Sequence, residues 1–268
     1  MMVDMNVPKD GRGPSGEGSV AESRDAVPSS VRKAFALIEE LVTAPAPVRL
    51  HELARATGMT KPTTHRLLRA LYAIGYVRPV GSGQYAVGPG LISVAAATLG
   101  GLKERPLVHR TLTQLHERTG LTASYAMRWG DSVVVIDNVE PDQAYRVSPR
   151  LGVRTPLTDS AAGLAILATA APGDRDDEIP PASLAAVDAA RGDGYAVDTS
   201  QAGVCAVAAP VRIGGPLAGA LMVTGLSFGM SPDSVRVIGP LVAEQANALA
   251  ATVRATIPAV SDIEEDTA

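Results

Sequence analysis

The chain has 268 residues, 46% of them hydrophobic, and a formal net charge of −4, which is enough for two domains that each bury a core. Its single cysteine excludes an internal disulfide or a cysteine-based zinc site. The apolar runs around Ala161–Ala171 and Val204–Leu226 are too short, or too broken by Pro, Arg and Gly, for a spanning helix. No signal peptide is read, so the expectation is a cytoplasmic protein without a membrane partner. Aromatics, at 3%, predict an aliphatic core.

Residues 1–28 are rich in Gly, Pro, Ser and charge and predict a disordered tail. The string Gly11-x-Gly13-x-x-Gly16 imitates a dinucleotide fingerprint, but no strand precedes it and no helix follows to position a pyrophosphate. From Val31, apolar residues at Ala34, Phe35, Leu37, Ile38, Leu41 and Val42 predict a helix with Ser29 or Ser30 as N-cap, stopped by Pro45 and Pro47. Leu50, Leu53 and Ala54 give a second, shorter helix one buried face. Gly58 then supplies a turn at positive φ, and Thr60 caps a third helix with Pro62 tolerated in its first turn.

The third helix should bury Thr64, Leu67, Leu68 and Leu71, turning Lys61, Pro62, Thr63, His65, Arg66 and Arg69 outward. Tyr76–Val80 and Gln84–Val87 flank Gly81-Ser82-Gly83 as a hairpin, which completes the layout of a winged helix-turn-helix. Arg66 can pair bidentately with guanine, Pro62 and Thr63 suit a thymine methyl, and Lys61 and Arg78 suit phosphates. The candidate contacts to double-stranded DNA are Arg49, Lys61, Pro62, Thr63, His65, Arg66, Arg69 and Arg78. Residues 29–90 carry eight cations (Arg32, Lys33, Arg49, Arg55, Lys61, Arg66, Arg69, Arg78) against Glu39, Glu40 and Glu52, a net +5 on an acidic chain. A basic, solvated face that docks on another protein is the competing reading of the same residues.

Two runs, Leu53-Ala54-Arg55-Ala56-Thr57-Gly58 and Lys61-Pro62-Thr63-Thr64-His65-Arg66-Leu67-Leu68, resemble the helix-turn-helix core of IclR-family transcriptional regulators. Gly75-Tyr76-Val77 and Tyr85-Ala86-Val87-Gly88 are similar to that family's wing, and the resemblance continues to about Pro258.

Pro89 to about Leu102 and Pro106–Arg118 predict two helices, the first markedly apolar. Such a helix either packs on its own domain or pairs with a second copy. The resemblance favours a homodimer or tetramer that reads a near-palindromic operator. His109 and His116 lie seven apart without a third ligand in reach, so no metal site is read. Beyond Thr122, strands are expected at Ala123–Trp129, Ser132–Val139, Val204–Ile213 and Leu217–Leu226, the last two flanking a Gly214-Gly215 turn. Helices are expected at Ser160–Thr169, Ser183–Arg191 and Pro232–Ala255. Antiparallel strands with helices segregated to one side make an α+β domain, and the resemblance implies a GAF-like fold. The resulting organisation is a tail (1–28), a winged helix-turn-helix (29–90), a linker and dimerisation helix (91–105), a GAF-like effector-binding domain (106–258) and an acidic tail (259–268).

Three stretches resemble the family's effector pocket: Gly152–Gly163, Gly194–Asp198 with Gly203–Val211, and Leu221–Gly225. By motif position, Ala161, Ala162, Asp198, Cys205, Met222 and Thr224 would line it. The small residues equally suit tight helix–sheet packing, with Cys205 a small buried hydrophobe. The sequence departs from the family where Ser200 and Gln201 replace an acidic pair and where Leu164 replaces a lysine. Arg146, Arg150 and Arg154 could attract an acid or be surface charges.

An enzyme using Cys205 lacks a base, because the histidines fall at 51, 65, 109 and 116, outside its surroundings. Ser160 lacks the setting of a nucleophile elbow. The expectation is therefore a non-enzymatic regulator without cofactor or metal, a repressor before an activator, that responds to a small organic or aromatic acid. A DNA-binding regulator whose second domain only oligomerises is the nearest alternative.

Overall fold

The computed structural model describes residues 27–81, 83–170, 179–213 and 219–256. The expected N-terminal tail with its glycine string, the acidic C-terminal tail, Ser82 of the hairpin tip and the Gly214-Gly215 turn lie outside the described residues. Two compact units meet in the chain at Gly88 and Pro89.

The first unit runs α1 (Ser29–Thr43), β1 (Val48–Arg49), α2 (Leu50–Ala56), α3 (Lys61–Ala73), β2 (Val77–Val80) and β3 (Gln84–Val87). Its core is aliphatic: Leu37, Ile38 and Leu41 from α1, Leu53 and Ala54 from α2, Leu68 and Leu71 from α3, and Val77 from the wing. Neither Ser29 nor Ser30 caps α1. Pro28 is the N-cap residue, and its carbonyl accepts from the Val31 and Arg32 amides at 3.0 and 3.2 Å. The buried stripe of α1 is narrower than its apolar pattern, since Val31, Phe35 and Val42 are exposed.

Gly58 sits at φ 66°, where a side chain would be strained, and so lets α2 turn into α3. Thr60 occupies the N-cap position of α3 in extended conformation, but its hydroxyl pairs with that of Thr63 at 2.9 Å rather than with a backbone amide. The wing gains a third strand, since β1 pairs with β3 through Val48 opposite Tyr85 and Arg49 opposite Gln84. Two residues carry no readable period, so the sequence could not show it.

The second unit contains α4 (Pro89–Gly101), α5 (Arg105–Thr119), β4 (Thr122–Trp129), β5 (Ser132–Val139), β6 (Arg154–Pro156), α6 (Ala161–Leu167), α7 (Pro181–Asp193), β7 (Ala196–Asp198), β8 (Val204–Val211), β9 (Gly219–Leu226) and α8 (Pro232–Thr256). The six strands form one antiparallel sheet in the order β6-β5-β4-β9-β8-β7. Its centre is the β4–β9 pairing, from Thr122 opposite Thr224 to Met127 opposite Gly219.

Helices cover both faces, not one. Helices α5 and α8 pack on the face carrying Tyr125, Val207, Leu221 and Val223. Helices α6 and α7 pack on the face carrying Ala126, Val133, Ala208 and Met222. Every residue of β8 after Val204 is buried, and every residue of β9 before Leu226, so these strands lack the polar alternation of a one-sided sheet. The second helical layer is the physical consequence of those unbroken apolar runs. Gly163 lets α6 pack against the turn that precedes it: a Cβ there would stand 2.0 Å from the Leu157 carbonyl oxygen.

Candidate nucleic-acid interface and ligand cavity

In the first unit, burial of Thr64, Leu68 and Leu71 fixes the rotation of α3, so Lys61, Pro62, His65, Arg66 and Arg69 stand exposed on its outer side. Leu67 is half-buried, as is Thr63, whose hydroxyl is engaged by Thr60. Arg78 is exposed on β2 opposite Ala86. Arg49 is exposed at the start of α2, where its backbone amide donates to the Glu52 carboxylate at 2.8 Å. Among the described residues, no carboxylate lies within ion-pair distance of Lys61, Arg66, Arg69 or Arg78. The helix presents cations with no internal counter-charge, which an external polyanion can neutralise without breaking a bond in the protein.

In the second unit, a cavity of about 360 Å³ opens between the sheet, the start of α6 and the strap of residues 141–153 that joins β5 to β6. Its floor is apolar, with Ala126, Val133, Ala206 and Met222. The Thr224 hydroxyl lies buried on the wall, and the Ser124 hydroxyl is buried on β4 on the same face of the sheet; among the described residues neither has a hydrogen-bond partner. Asp159, Ser160, Asp198 and Gln201 give the rim its polarity, and the strap contributes Val147, Ser148 and Arg150. Ser160 caps α6 by accepting from the Gly163 amide at 3.1 Å, and Asp198 accepts from the Ser200 amide at 2.8 Å. A crevice between α5 and α8 is far smaller, about 80 Å³.

Comparison with known proteins places this geometry. The IclR helix-turn-helix domain model matches residues 30–81, and the model of the C-terminal part of bacterial IclR transcriptional regulators matches residues 97–182. The HTH-type transcriptional regulator Rv1719 of Mycobacterium tuberculosis is 31% identical over 201 residues, covering 68% of this chain and 76% of that protein. The chain belongs to the IclR family of transcriptional regulators. It is also 33% identical over 141 residues to the acetate operon repressor of Salmonella typhimurium, a match spanning about half of each chain (52%). A crystal structure of an IclR homologue from Microbacterium hydrocarbonoxydans, complexed with 4-hydroxybenzoate, superposes with a TM-score of 0.70 at 19% identity. That match covers 85% of this chain and all of the other, and it attests the shared fold.

Within this IclR frame, Ala161, Ala162, Asp198, Met222 and Thr224 line the cavity as expected by motif position, and Cys205 does not. Side chains alternate along β8, so Cys205 joins Val207 on the α5–α8 face while Ala206 faces the cavity. Burial, and then the Asp198 carboxylate, push the Cys205 thiol above its ordinary pKa, the reverse of what a nucleophile needs.

The three arginines left open by the sequence separate cleanly. Arg150 lines the cavity, Arg146 pairs with Glu140 at 2.6 Å, and Arg154 stacks over Trp129 at 4.1 Å. Ahead of Gly152 the strap carried no period or motif from which its place on the cavity could be read. His109 meets Asp137 at 3.1 Å and His116 meets the Leu121 carbonyl at 2.9 Å. Among the described residues no cluster of metal-ligating side chains occurs, and no helix is long and apolar enough to cross a membrane.

Proposed function

We propose that this chain is a transcriptional repressor that binds a near-palindromic operator through α3 and the wing. A small organic acid held in the second unit's cavity would set its operator affinity. The observation that carries the reading is the outer side of α3, where Lys61, His65, Arg66 and Arg69 stand exposed behind the Gly58 turn, without carboxylate partners among the described residues. In this reading Arg66 reads a base edge, Pro62 and Thr63 meet a thymine methyl, and Arg49, Lys61, Arg69 and Arg78 neutralise phosphates.

The 13-residue helix α4 buries none of its residues, carries no charge and exposes Ile92 and Val94, which supports pairing with a second copy and hence two half-sites. For the effector, the cavity offers an apolar floor, the Thr224 hydroxyl, unpartnered among the described residues, and Arg150 in its wall, which suit an aromatic or short organic acid. The bound 4-hydroxybenzoate of the Microbacterium homologue supports that class. Coupling between the two sites would amount to roughly 1–3 kcal/mol, a several-fold to hundred-fold change in operator affinity. The buried, raised Cys205 thiol gives no support to catalysis.

The deciding experiment is a fluorescence-anisotropy titration against DNA from the gene's own upstream region, with a scrambled duplex, a salt series and 4-hydroxybenzoate as the first probe. Preference for the native duplex, altered by the probe, is the expected result. Equal, weak and salt-labile binding to both duplexes would refute the operator reading.

A further inference from the structure

Residues 141–153 leave the end of β5, cross the cavity and return as β6 along the same edge, with no regular secondary structure of their own. A connection of that length in a compact domain either works or is held, and one carboxylate gathers the side chains of its middle. Glu140, the residue immediately after β5, accepts from the Arg146 Nε–H at 2.6 Å through Oε2. Through Oε1 it accepts from the Ser148 hydroxyl and from the Asn138 amide, the latter at 3.0 Å. Arg146 also donates to the Gln143 carbonyl at 2.9 Å, folding the first half of the strap onto itself. The Ser148 and Arg146 hydrogen bonds hold the Glu140 carboxyl below its ordinary pKa, so it is ionised at neutral pH. Three further bonds tie the strap to the sheet: the Thr122 hydroxyl donates to the Val147 carbonyl at 2.6 Å, the Asn138 side-chain amide to the Pro149 carbonyl at 3.4 Å, and the Gly152 amide to the Val135 carbonyl at 2.8 Å.

We propose that Glu140 is the positioning residue of the ligand cavity. Glu140 does not itself line the cavity but bonds Ser148, which does. By fixing Arg146 and Ser148 it places the wall formed by Val147–Arg150 against the cavity. An isolated exposed ion pair would contribute little, but here one carboxylate gathers three donors, and two of them belong to the segment it orders. This rests on the reading of the cavity as the effector site.

The test uses the full-length protein and two readouts. Hydrogen exchange followed by mass spectrometry compares wild type with Glu140→Ala and Glu140→Gln, with Glu117→Ala as a carboxylate removed from exposed surface on α5. In Glu140→Ala the Gly152 amide, the strap amide that donates to the sheet at Val135, should exchange about tenfold faster, the loss of roughly one charge-assisted hydrogen bond, while the amides of β4 and β9 stay as in wild type. Glu140→Gln, which keeps an acceptor but not the charge, should fall between. In the second readout, 4-hydroxybenzoate should bind Glu140→Ala about tenfold more weakly than wild type, with faster dissociation. Unchanged strap exchange in Glu140→Ala, or the same rise in Glu117→Ala, overturns the inference. So does a loosened strap with unaltered binding of a probe that wild type does bind. If wild type binds no 4-hydroxybenzoate while the strap still loosens in Glu140→Ala alone, the failure belongs to the choice of effector class and the hold of Glu140 on the cavity wall stands.

Discussion

Among the described residues, the exposed cations Lys61, Arg66, Arg69 and Arg78 of the helix-turn-helix unit face no carboxylate. In the second unit Arg146, Arg191 and Arg236 each hold one: Glu140 at 2.6 Å, Asp188 at 2.7 Å and Asp233 at 2.6 Å. The first arrangement leaves positive potential for a partner, and the second spends it on fixing loops and helix turns. The cores differ in the same sense. The first unit has one small core, from which all the proposed DNA-contacting side chains point away, whereas the second builds two cores on opposite sheet faces and leaves its cavity on one of them. A surface reader needs only the rotation of one helix to be right; a cavity needs strands distant in sequence to agree.

The largest effect should come from the residue that sets that rotation. Leu68 is fully buried between the helices of the first unit, and Leu68→Ala should cost about 2–5 kcal/mol there. Calorimetry should show the first unit's transition falling while the second's keeps its midpoint. A common shift of both would mean that the units are coupled and the comparison too sharp. Next in size is Arg66→Ala, expected to lose about 1–3 kcal/mol of discrimination between operator and scrambled duplex with the melting temperature unchanged. Arg236→Ala, which removes a cation of the second unit that pairs with Asp233, should leave DNA binding within about twofold. Equal losses from the two would sink the assignment of Arg66 to base reading.

The helix-turn-helix was legible because its evidence is local. The spacing of Thr64, Leu68 and Leu71, the Gly58 turn and Pro62 in the first turn of α3 all lie within fifteen residues, and all stand in the structure. The strands and helices of the second unit were also legible one at a time, their ends falling within a couple of residues of those expected. What was not legible was assembly. Helices on both sheet faces, the short strands β6, β7 and β1, and the strap over the cavity depend on pairings between residues far apart in the chain. Of the six residues named by motif position, five line the cavity and Cys205 packs on the other sheet face, because a resemblance transfers positions while the pleat assigns faces.

A smaller effect sharpens the electrostatic half of the comparison. Lys61→Gln removes one proposed phosphate contact, so affinity should fall on native and scrambled duplexes alike. The slope of log affinity against log salt should shrink by about 1. A change confined to the native duplex would make Lys61 a reader of bases.

The smallest expected effect is on the effector response of Cys205→Ala, and it tests the pleat directly. Cys205 and Ala206 are neighbours in β8, yet one is packed with Val207 and Val223 beneath α5 and α8 and the other faces the cavity. Removing the thiol should cost about 1 kcal/mol of stability through lost packing and leave probe affinity within about twofold. Ala206→Leu, which adds three carbons to the cavity floor, should abolish probe binding at comparable stability cost. The thiol's burial and raised pKa add a second reading of the same geometry: iodoacetamide should leave Cys205 unmodified in the native protein at neutral pH, with or without probe, and alkylate it in urea. Should the probe protect a thiol that does react in the native state, β8 would have to present Cys205 to the cavity, and the division of the sheet into two faces at this strand would be wrong.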